Sequence, residues 1–196
     1  AAYEEPWAVV TGAAAAVVNG DAEENMFSYS YAHDSGVSVA LAYHNAEAGQ
    51  SVESYMDYAV EYNGVEGLRI GYAEGTVHDT AAEADENTVF ATYAIGGFTI
   101  GFQASESDEV NGTANDRETT GFGISYQVSD DLSVSYGNHE TDYSAAANED
   151  QDASAVGIAY TMGSMSVSAS YHNVDNIAGT GTNDRNGYEI SMSFAF

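Results

Sequence analysis

The feature that most constrains this chain is a strict two-residue alternation of apolar and polar side chains. Val37, Val39, Leu41 and Tyr43 alternate with Ser38, Ala40, Ala42 and His44. Met56, Tyr58, Val60 and Tyr62 alternate with Asp57, Ala59 and Glu61, and Phe98, Ile100 and Phe102 with Thr99, Gly101 and Gln103. The last run places Tyr188, Ile190, Met192, Phe194 and Phe196 on one side. Successive side chains of a strand point to opposite faces, so period two gathers the apolar set on a single face. The pattern predicts eleven strands, at 27–33, 37–45, 51–63, 66–77, 87–95, 98–106, 117–128, 131–140, 151–161, 164–174 and 186–196. Most reach the roughly 9–11 residues that a tilted strand needs to cross a bilayer. Strands of water-soluble sheets are usually nearer five or six.

The connections alternate in length as well. Short ones fall at Asp34-Ser35-Gly36, Gly64-Val65, Gly96-Gly97, Ser129-Asp130 and Gly163. Long polar ones are expected at 46–50, 78–86, 107–116, 141–150 and 175–185. Short turns at one end and long loops at the other are the pattern of a bacterial outer-membrane barrel. The small polar face of Ser, Thr, Gly, Ala and Gln would pack a soluble core poorly but suits the wall of an aqueous channel. Tyr31, Tyr43, Tyr62, Tyr72, Tyr136, Tyr160 and Tyr171 sit on the apolar face near strand ends, where an amphipathic ring settles at lipid headgroups. The fold class expected is therefore all-β, a transmembrane antiparallel β-barrel in a bacterial outer membrane, contacting lipid.

Composition narrows the function. The chain has 31 Asp and Glu against three arginines and no lysine, for a formal net charge of −28. Clustered cations for phosphate contact are missing, which excludes most nucleic-acid partners. Cysteine is absent, so neither a disulfide framework nor thiolate chemistry is available. No apolar run reaches the roughly 18 residues of a transmembrane helix, and no leader segment is visible at the start, as expected of a cytosolic, processed or fragmentary chain. Neither a nucleophile elbow nor a phosphate loop is present, and no catalytic residue or metal-ligand motif is assigned. His33, His44, His78, His139 and His172 lack the spacing of a metal site.

The strand count raises a question of parity. Bacterial single-chain barrels have an even number of strands, with both termini on the periplasmic side. Strand 27–33 descends to a short turn, so an odd number must precede it. Either residues 8–18 form a twelfth strand, or the chain is the C-terminal part of a larger barrel. The aromatic alternation closing on Phe196, the run Pro6-Trp7-Ala8-Val9-Val10-Thr11-Gly12, and the segment Phe27-Ser28-Tyr29-Ser30-Tyr31 resemble the C-terminal two-thirds of the sixteen-stranded general porins of alphaproteobacteria. The resemblance implies that residues 1–26 are the tail of an inward-folded constriction loop and that 27–196 hold strands six to sixteen. It also implies a homotrimer passing small polar solutes.

The candidate pore-lining residues are charges on the small-residue face. Asp57 and Glu61 lie four apart on one strand, Arg69 on the next, and Glu189 on the last. Opposed charges across a lumen would set up a transverse field that filters solutes. Glu4 and Glu5 fall on the loop tail that the resemblance implies. With so few arginines, the expectation is a broadly cation-selective diffusion pore. The alternative is a surface barrel whose acidic loops bind partners or divalent cations. Loop-bound calcium is then expected at Glu83-Ala84-Asp85-Glu86 and Glu149-Asp150-Gln151-Asp152, and no other cofactor.

Overall fold

The computed structural model describes residues 26–45, 52–79, 83–109, 116–145 and 147–194. They form one antiparallel sheet of eleven strands: β1 (Met26–Ala32), β2 (Val37–His44), β3 (Val52–Tyr62), β4 (Leu68–Asp79), β5 (Glu83–Ile95), β6 (Phe98–Glu109), β7 (Arg117–Ser129), β8 (Leu132–Tyr143), β9 (Gln151–Met162), β10 (Met165–Asp175) and β11 (Arg185–Phe194). Each strand pairs with its neighbours in sequence, so the sheet is a continuous meander. The expected loop tail at 1–26, with Glu4 and Glu5, lies outside the described residues except for Met26, the first of β1.

Tight connections fix the register at one end. Gly36 and Gly67 hold φ of 86° and 77°, conformations that a side chain makes costly. A Cβ on Gly67 would also strike the Ala94 carbonyl on the neighbouring strand β5. At the other end one expectation fails. Residues 78–86 are not a long loop, because β4 runs to Asp79 and β5 begins at Glu83. Thr76 pairs with Asp85 and Gly75 with Glu86. The acidic run expected to be a calcium-binding loop is therefore strand, and its side chains Asp85 and Glu86 go to opposite faces. Likewise β6 continues to Glu109, and Gln151 and Asp152 open β9. Where both faces meet water, hydrophobic alternation vanishes although the hydrogen-bond ladder continues.

The sheet has no hydrophobic core. Among the described residues Phe90 is the sole buried apolar side chain, and no large side chain is fully buried. Phe27, Leu41, Met56, Ile70, Phe102, Ile158 and Ile190 stand exposed on one face. One register row runs Leu68, Tyr93, Ile100, Ile124, Tyr136, Val156, Tyr171, Tyr188 across β4 to β11. This row climbs, for Leu68 opens β4 at the short-turn end while Tyr188 lies six residues above Phe194 on β11.

Candidate functional site

The face opposite that apolar row carries the candidate site. Its rows are made of small and hydroxyl side chains: Thr99, Ser125, Ser135, Gly157, Ser170 and Glu189 lie in register from β6 to β11. Hydroxyls bond one another along this wall. Thr88 Oγ1 lies 2.8 Å from Ser105 Oγ, Gln103 Nε2 donates to Ser105 Oγ at 2.8 Å, and Thr119 and Thr141 meet at 3.1 Å. Ser170 Oγ and His172 Nε2 are 2.7 Å apart beside Glu189.

Asp57, Glu61, Arg69 and Glu189 all project from this wall, Asp57 and Glu61 on β3, Arg69 on β4 and Glu189 on β11. Arg69 Nε and Nη2 donate to the two carboxylate oxygens of Glu61, each at 2.7 Å. The fork geometry is the strong form of the pair, and it neutralises both charges locally. The guanidinium also lies 5.1 Å above the Phe90 ring. Phe90 is accommodated because residue 71 opposite it is glycine. A Cβ there would meet the ring at 2.5 Å.

Asp57 behaves differently. Its relative exposure is 7%, and neither carboxylate oxygen has a hydrogen-bond partner. Its register row continues through Gly75, Glu86, Ser107 and Arg117. Glu86 accepts from Ser107 Oγ at 3.3 Å. Arg117 and Arg185 share the wall with Arg69, so all three arginines of the chain face inward. Among the described side chains this face thus holds four acids (Asp57, Glu61, Glu86, Glu189) and three arginines, a net of −1.

Most of the acidity lies elsewhere. Glu74, Glu106, Glu118 and Asp142 occupy one row of the apolar face at its long-loop end, with Asp85, Asp108, Glu140 and Asp152 nearby and no described arginine among them. Tyr72 donates to Glu74 at 2.6 Å and Tyr58 donates to the same oxygen, so Glu74 is clasped between two rings. Glu140, Asp142 and Asp150 bring carboxylate oxygens within 4.8 Å of one another.

The sequence pattern placed Glu86 in a loop instead of on the wall, because the strand there no longer alternates. It also missed Phe90, hidden in the continuous apolar run Val89-Phe90-Ala91. The facing glycine that would have revealed Phe90 is recognisable only once the register is known.

Residues 53–196 match the family model described as Gram-negative porin. The chain belongs to the Gram-negative porins. Membership places this porin in the bacterial outer membrane. No curated protein matches it. Among solved structures it is similar to the anion-selective porin from Comamonas acidovorans, with a TM-score of 0.71 and 16% identity over 88% of this chain and 60% of that one. It is similar to Salmonella typhi OmpF in complex with daunomycin, with a TM-score of 0.69 and 14% identity over 86% and 62%. It is also similar to the trimer form of OmpT, an outer membrane protein of Vibrio cholerae, with a TM-score of 0.63 and 19% identity over 86% and 64%. The chain therefore spans less than two thirds of the solved porins it matches. Identities this low establish a shared fold.

Proposed function

We propose that this porin is a passive diffusion pore for small hydrophilic solutes and ions with cation preference, built as a sixteen-stranded homotrimer of the alphaproteobacterial type. The observation that carries the reading is the inverted sheet, apolar side chains exposed on one face and Ser, Thr and Gly lining the other. In lipid that arrangement is stable, and it leaves the polar face to enclose water. β1 and β11 each have one described neighbour. An open edge in hydrocarbon leaves backbone groups unpaired at several kcal/mol each, which supports a closed barrel. The trimer form of OmpT supports the assembly by likeness of fold.

Cation preference rests on the acidic rim more than on the wall. The described side chains of the wall are close to neutral, whereas the long-loop end carries the acids of the Glu74 row and the Glu140, Asp142 and Asp150 cluster. A similar solved porin is named anion-selective, so charge placement and not the fold sets the sign. Asp57, Glu61, Arg69 and Glu189 are the wall charges that would tune it, with Glu4 and Glu5 contributing from the loop tail. Reversal potential across a planar bilayer in a KCl gradient tests the reading. Absence of conductance removes the pore, and a potential of anionic sign removes the preference. The carboxylate cluster favours a second reading, a surface barrel whose acidic rim binds divalent cations or partners. Calcium-dependent association by a barrel that does not conduct would establish that one.

A further inference from the structure

We propose that Asp57 and Glu86 bind one divalent cation on the inner wall, with Gly75 as the gap that lets the two carboxylates share it. The starting point is the environment of Asp57. It is more than nine-tenths buried, and both oxygens lack a hydrogen-bond partner. An ionised carboxylate in that position carries a desolvation cost of several kcal/mol unless something compensates it. A second carboxylate adds to the cost. Glu86 lies in the same register row, separated from Asp57 by one strand whose residue is glycine. The two acids act on each other electrostatically.

Among the described side chains no arginine bonds this pair. The chain has no lysine, and residues 1–25 contain neither arginine nor histidine. Arg69 is engaged by Glu61 through both oxygens. Arg117 stands on the same row but two strands beyond Glu86, its backbone roughly 10 Å from that of Glu86 and about 19 Å from that of Asp57 at the usual strand spacing. A bound divalent cation would supply the missing compensation. Carboxylates and the Ser107 hydroxyl that bonds Glu86 are hard oxygen donors, which suit calcium or magnesium. The site is distinct from the rim cluster at Glu140, Asp142 and Asp150. It also stands apart from the pore reading, since a barrel that failed to conduct could still hold the ion.

Calorimetric titration of the detergent-solubilised protein with CaCl2, after removal of bound metal by EDTA, tests the proposal. The expected result is a site that weakens at least tenfold in both Asp57→Asn and Glu86→Gln, while Asp131→Asn in the β7–β8 turn leaves it unchanged. Circular dichroism and heat-modifiable mobility on gels establish that each variant folds. Wild-type calcium binding in the two folded wall variants would overturn the proposal. So would a wild type that binds no calcium while Asp57→Asn gains stability, since the buried charge would then be held by a proton.

Discussion

An arginine placed at residue 124 distinguishes a lipid-facing sheet from a water-facing one. Ile124 sits midway along the apolar stretch Phe122, Ile124, Tyr126 and Val128 of β7, with Ile100 and Tyr136 as cross-strand partners. Ser125 is its neighbour in sequence, points the opposite way, and pairs with Thr99 and Ser135. On an exposed surface in water, Ile124→Arg would change stability by about 0.5 kcal/mol at most. At the middle of a bilayer the same change costs about 2–4 kcal/mol. At about 1.36 kcal/mol per decade, this is roughly a 30- to 900-fold loss in the folding equilibrium. Ser125→Arg places its charge in the aqueous lumen and should cost far less while altering conductance. Equilibrium urea unfolding of the protein reconstituted in vesicles measures both variants. Equal cost for the two, or no cost for Ile124→Arg, would refute the assignment of faces.

Two further outcomes follow from the wall. Arg69→Gln takes the net charge of the described wall side chains from −1 to −2, and a unit charge about 8 Å from a passing ion in water is worth about 0.5 kcal/mol, of opposite sign for cation and anion, roughly a sixfold rise in cation over anion permeability. Glu61→Gln should shift the reversal potential the other way. Gly71→Ala puts a Cβ 2.5 Å from the Phe90 ring and should cost about 1–3 kcal/mol as overpacking. Urea midpoints of Gly71→Ala, Phe90→Ala and the double variant should be non-additive, because removing the ring removes the clash. Strictly additive costs would show that the two residues do not meet.

The faces, the strand count and the inward direction of Asp57, Glu61, Arg69 and Glu189 were legible because a bilayer imposes contrast on alternate residues. Contrast ends where the strand leaves lipid. Asp85 and Glu86 meet polar surroundings on both sides, so they read as loop although the ladder runs through them. Partnership was harder to read than direction. That Arg69 bonds Glu61 and not Asp57 depends on a diagonal offset, Glu61 pairing with Gly71 two residues along. Spacing along one strand does not contain that offset. The same holds for Glu74, an acid on the apolar face that becomes tolerable through the hydroxyls of Tyr58 and Tyr72.

The climbing row from Leu68 to Tyr188 has a mechanical consequence. Six residues of rise across seven strand steps amount to a lean of roughly 30° at ordinary strand spacings. In a closed barrel, lean and strand number together set the width, because a tilted strand occupies more of the circumference than an upright one. The bore of this porin is thus wound into its backbone like the lay of a rope. Side chains can narrow the opening or charge it, but a wider one requires sliding every strand against the next. Such a slide can only come in steps of two residues, since a one-residue step would turn a strand's lipid face inward.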